Sequence, residues 1–80
     1  MAEKTLIIER LDETVKTETA SVVIVRLNSA RVVISTEPFS DTNKGVIYSA
    51  GEAAQFAPGS TIHLKQKDPK VKDVEVQILW

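Results

Sequence analysis

Eighty residues, 42% hydrophobic and 26% charged, suit one soluble globular domain near the size at which a single core is only marginally sufficient. The absence of cysteine excludes disulfides and thiolate metal sites, and one histidine, His63, leaves at most a carboxylate-dominated metal site. The net charge of −1 divides into −2 over residues 1–43 and +1 over residues 44–80, too weak a field for a dedicated nucleic-acid binder.

No basic leader precedes an apolar segment in MAEKTLIIERLDE, so synthesis in the cytoplasm without a signal peptide is expected. The longest apolar run is four residues, which argues against a membrane partner. Lys4 to Arg10 sets Leu6 and Ile8 against Thr5, Ile7 and Glu9 and predicts a short first strand. Residues 11–20, LDETVKTETA, offer only Leu11 and Val15 for burial. Their threonines oppose a helix, and an exposed loop or irregular arm is expected. Residues 1–20 together read as a candidate N-terminal docking arm.

Ser21 to Thr36, SVVIVRLNSARVVIST, is the most apolar stretch. It predicts two strands, Ser21 to Leu27 and Arg31 to Thr36, joined as a hairpin through Asn28, Ser29 and Ala30. Val22 to Val25 and Val32 to Ile34 are apolar at successive positions, so both faces of this hairpin are expected to need cover, in part from another copy or another protein.

Glu37 to Lys44 carries Pro38, Ser40, Asp41 and Asn43 and predicts a loop. Phe39 within it either folds back over the core, the favoured reading, or faces a partner. Gly45 to Ser49 is a fourth strand. Ala50, Gly51 and Glu52 turn the chain, and Ala53, Ala54 and Phe56 lead to Pro58-Gly59, a pair suited to a type II turn. Ser60 to Gln66 alternates, with Ile62 and Leu64 inward and Thr61, His63 and Lys65 outward. After the turn KDPKVK, Asp73 to Trp80 alternates Val74, Val76, Ile78 and Trp80 against Asp73, Glu75, Gln77 and Leu79. A small all-β single domain results, a β-barrel or β-sandwich of about six short, mainly antiparallel strands.

Chemistry-bearing patterns are sparse. His63 has neither an orienting carboxylate nor a nucleophile identifiable in the sequence. Asp12 with Glu13, and Glu37 with Asp41, lack the alternating oxygen ligands and central glycine of a calcium loop. Gly45, Gly51 and Gly59 are too far apart to cradle a phosphate. Lys65, Lys67, Lys70 and Lys72 form the one cationic cluster, interrupted by Asp68 and Asp73 and without an interleaved aromatic. It reads as a soluble hairpin tip that discourages edge pairing. No enzyme activity, cofactor or metal is expected.

From Val23 onward the order of segments resembles a shortened co-chaperonin of the GroES type: VIVR at Val23 to Arg26, VVI at Val32 to Ile34, GVIYSAG at Gly45 to Gly51, and FAPGSTI at Phe56 to Ile62. The family's aspartate after the last glycine is Ser60 here, and residues 1–20 have no counterpart. The resemblance implies a binding module whose chaperonin-contacting residues are Val32, Val33 and Ile34.

The reading favoured by the residues themselves is a non-enzymatic structural subunit acting in multiple copies, bound to itself or to a larger assembly. Its most concrete version is a virion component such as a capsid decoration or cement protein. The co-chaperonin-like module comes second and a small nucleic-acid-binding barrel third. Candidate protein contacts are Leu6, Ile8, Val22, Ile24, Val32, Val33, Ile34, Phe39 and the terminal Trp80.

Overall fold

A computed structural model describes residues 2–80. Six strands form: β1 (Glu3–Ile8), β2 (Lys16–Val25), β3 (Val32–Ser35), β4 (Val46–Tyr48), β5 (Ala53–Gln66) and β6 (Val74–Leu79). They build one antiparallel sheet in the order β1-β6-β2-β5-β3-β4, with no helix among the described residues. The protein is thus a small all-β domain. Its sheet has two free edges, β1 and β4, and does not close into a barrel.

The sheet nevertheless folds over on itself. In a flat sheet β1 and β5 would lie about 14 Å apart, three strand spacings. Yet Gln66 at the end of β5 donates from Nε2 to the carbonyls of Ile8 (2.7 Å) and Glu9 (2.6 Å). Lys4 on β1 likewise reaches Glu18 on β2 at 2.7 Å, although β6 stands between those strands in the sheet. The bend is at Ser21, where the pairing of β2 with β5 jumps from Ala20↔Ser60 to Val22↔Gln55. One residue of β2 there faces Phe56 to Gly59, a bulge of the kind that lets a strand pass from one layer of a sandwich to the other. Gly59 has φ +79, as the third position of a type II turn requires. Ser21 itself anchors the corner by donating from Oγ to the Leu79 carbonyl at 3.1 Å.

This bulge also resolves the apolar run at Val22 to Val25. Before it, the even positions of β2 face inward, ending with buried Ala20. After it, the odd positions Val23 and Val25 do so. The core is contiguous and includes Ile8, Val23, Val25, Val32, Ile34, Ile62, Leu64, Val74, Val76 and Ile78. Val22 and Ile24 lie on the outer face, half-buried among Gln55, Ala53, Gln77 and Leu79. Long polar side chains of the same chain run across that face. Arg26 donates from Nη1 to Gln77 Oε1 (3.1 Å), and Gln77 donates from Nε2 to Glu3 Oε2 (2.8 Å).

Three expectations about local structure need correction. The strands containing Val22 to Val25 and Val32 to Ile34 are not hairpin partners, because β5 lies between them and pairs with both. Lys16 to Ala20, expected within a loop, is the first half of β2 and pairs with Ser60 to Leu64. Ala53 and Ala54, expected to lead into a turn, already belong to β5 and pair with Ile24 and Val23.

Gln66 makes one of the testable contacts. It is buried at the end of β5, and its Nε2 provides donors to two carbonyls of the β1 end. Replacing it by leucine removes both bonds and is expected to destabilise the fold by about 1–3 kcal/mol, read from urea midpoints at unchanged m.

Candidate interaction surface

The loop from Thr36 to Gly45 is held by Asn43. The Asn43 Nδ2 lies 2.9 Å from Ser35 Oγ, 3.2 Å from the Glu37 carbonyl and 3.0 Å from the Pro38 carbonyl. Its Oδ1 accepts from the Gly45 amide at 3.3 Å. So tied, the loop turns Phe39 back onto Gly45 and the outer side of β3, where Val33 is buried at 3% exposure. Lys65 on β5 covers the ring, with Nζ 4.6 Å from its centroid, a cation–π distance. Phe39 therefore folds back on this chain, but over the outer face of β3 rather than into the main core.

Beside it an open depression crosses the outer face of β5, β3 and β4. Val33, Ile47 and Pro69 contribute apolar lining, and Glu13, Lys44, Lys65 and Lys67 contribute charge. Ion pairs elsewhere join Lys4 to Glu18, Lys16 to Asp12, Arg26 to Glu75 and Arg31 to Asp68. Among the described residues none of Lys44, Lys65, Lys67, Lys70 and Lys72 has a carboxylate within 4.0 Å. The Asp68 and Asp73 that interrupt the lysine cluster are engaged elsewhere: Asp68 with the Arg31 guanidinium, Asp73 Oδ1 accepting from the Arg10 amide. The depression is therefore electropositive.

His63 stands on the outer face opposite Thr17, whose Oγ1 is 3.3 Å from its Nδ1. No group of three or more metal-ligating side chains occurs among the described residues. Asp12 is held well below the usual carboxylate range, at about 2, chiefly by the Thr14 amide and then by the Lys16 ammonium. That pair fixes the approach to β2.

The nine candidate contact residues divide into three groups. Ile8, Val32, Val33 and Ile34 are buried within the chain, so Val32 to Ile34, the contact segment implied by the co-chaperonin resemblance, is a buried strand flanked by β4 and β5. Leu6, Val22, Ile24 and Phe39 are half-buried. Trp80 is 43% exposed and pairs through its backbone with Ala2. The apolar side chains most exposed within strands are others: Ile7 on β1, and Val46 and Ile47 on β4. Sequence reasoning passed over them because strand order, not residue type, determines which strand has a free edge. No protein-family model, curated protein or solved structure matches the chain.

Proposed function

We propose that this protein is a non-enzymatic structural subunit that works in multiple copies, bound to itself or to a larger assembly. A virion component such as a capsid decoration or cement protein is the most concrete form of that role. The observation supporting it is the placement of exposed apolar side chains. Ile7, Val46 and Ile47 stand on the two edge strands, with Trp80 just beyond the end of β6. Edge strands exposed in this way are templates for pairing with another chain.

The test is the mass of the purified protein by light scattering over a wide concentration range. A closed ring, trimer or larger assembly supports the proposal. A folded monomer at every concentration overturns self-assembly and moves the role to a partner surface.

A further inference from the structure

We infer that the electropositive depression across β5, β3 and β4 is a docking site for an acidic peptide segment of a partner protein, with an apolar side chain of that segment seated between the lysines. The inference rests on the larger-assembly part of the reading above and names the chemistry such an assembly would present to this chain.

The site follows from register. Val33 pairs with Lys65 on one side and with Ile47 on the other, and directly opposed residues share a face, so these three side chains form one row across the outer surface. Val33 is buried, whereas Ile47 is 46% exposed and, with Pro69, offers apolar surface to a ligand. Lys65 bounds the row, its Nζ held 4.6 Å from the centroid of the Phe39 ring. Lys67 follows just past the end of β5, and Lys44 just before β4, and both line the same depression.

Charge decides the class of occupant. Three lysines line the depression against one carboxylate, Glu13, and among the described residues none of the three has a carboxylate within 4.0 Å. Arg31, whose carbonyl accepts from the Lys67 amide, and Asp68 neutralise each other. On a chain with a net charge of −1, this leaves a positive wall beside apolar lining, which an anionic segment bearing an apolar group complements on both counts. Carboxylates suit the site better than a nucleic acid. No aromatic residue lines the depression, and the neighbouring Phe39 ring already carries the Lys65 ammonium on its face, so stacking on a base has no platform. The Arg31 guanidinium, whose fork would suit a phosphate, is held by Asp68.

The probes are two blocked peptides carrying a neutral dye, one alternating glutamate with leucine and the other glutamate with serine. Each is titrated with the full chain at low salt and followed by fluorescence anisotropy. The leucine peptide is expected to bind saturably, about fivefold or more tightly than the serine peptide, and to weaken as salt rises. Lys44→Glu/Lys67→Glu should weaken it by about tenfold or more. Lys70→Glu/Lys72→Glu makes the same change in net charge outside the lining and should leave binding within about twofold.

Equal binding of the two peptides, equal losses in the two folded variants, or no saturable binding would each overturn the inference. Tighter binding of a single-stranded oligonucleotide, abolished by Lys44→Glu/Lys67→Glu, would also overturn it and make this a nucleic-acid site. Light scattering on the unaltered protein decides self-assembly separately. An assembly that binds no peptide loses this site and keeps the multi-copy reading, and a monomer that binds the leucine peptide loses self-assembly and keeps the site.

Discussion

A chain lacking Ser21 is expected to lose the corner of its sheet and much of its stability, whereas Ser21→Ala should cost only about 1 kcal/mol for the hydrogen bond to the Leu79 carbonyl. The difference follows from the two-residue period of a strand. Ser21 stands at the register shift, with Ala20 facing the interior before it and Val23 and Val25 after it. Without it the alternation runs unbroken from Lys16 to Val25, so β2 keeps its inward residues on one face but loses the irregularity at which the sheet bends. A straight β2 breaks the contacts that depend on the fold-over: buried Gln66 loses the Ile8 and Glu9 carbonyls, about 1–3 kcal/mol, and Lys4 loses Glu18. Each core side chain that the opened corner exposes costs about 1.5–3 kcal/mol more, against a whole stability of about 5–15 kcal/mol for a small domain. Circular dichroism and urea titration of the deletion and the alanine variant check the pair. A deletion protein with a cooperative transition near that of the parent would show that the bend does not depend on the bulge.

Gly45→Ala is expected to destabilise by roughly 2–4 kcal/mol, combining the left-handed backbone penalty with overpacking. Gly45 has φ +77, and a Cβ there would lie 2.7 Å from Phe39 Cε1, 2.7 Å from Val33 Cγ1 and 3.0 Å from the Ile34 carbonyl oxygen. The phenyl ring can move, but the carbonyl belongs to the backbone of β3, which is held between β4 and β5. The clash would therefore be relieved by lifting Phe39 off β3 and uncovering Val33. Gly59 is the internal control. It has φ +79 and open space around it, so Gly59→Ala carries the backbone penalty alone, about 1–2 kcal/mol. Thermal denaturation of the two variants side by side separates the terms, and equal losses would mean that the contact with Phe39 and Val33 contributes nothing.

Much of the fold was legible because it depends on local pattern. Val74, Val76 and Ile78 alternate with Glu75, Gln77 and Leu79, and β6 has the inward register that alternation demands. Ile62 and Leu64 did the same for the second half of β5, and Leu6 with Ile8 for β1. The turn at Pro58-Gly59 was equally readable, because a positive φ at glycine is a local backbone property. Lys16 to Ala20 was not. With lysine and glutamate at two of its inward positions, it has no apolar alternation to mark a strand, and those charges are tolerated because Lys4 and Asp12 pair with them at the rim.

The candidate surface was only partly legible. Trp80 and Phe39 stand out in any sequence, and both have exposed or half-exposed rings. Val46 and Ile47 resemble the buried Val32 to Ile34 in composition, yet one group lies at an edge and the other one strand further in. Residue type could not separate them.

The sequence by itself determined that this is a small all-β domain without disulfides, along with most of its strands and turn chemistry, because periodicity and turn preference are set by neighbouring residues. Only the tertiary structure decided that β5 separates β2 from β3, that Ser21 bends the sheet, and that β1 and β4 are left as edges. Those outcomes depend on which distant strands share hydrogen bonds, and a pairing between residues so far apart in the chain leaves no mark on the local pattern of either strand.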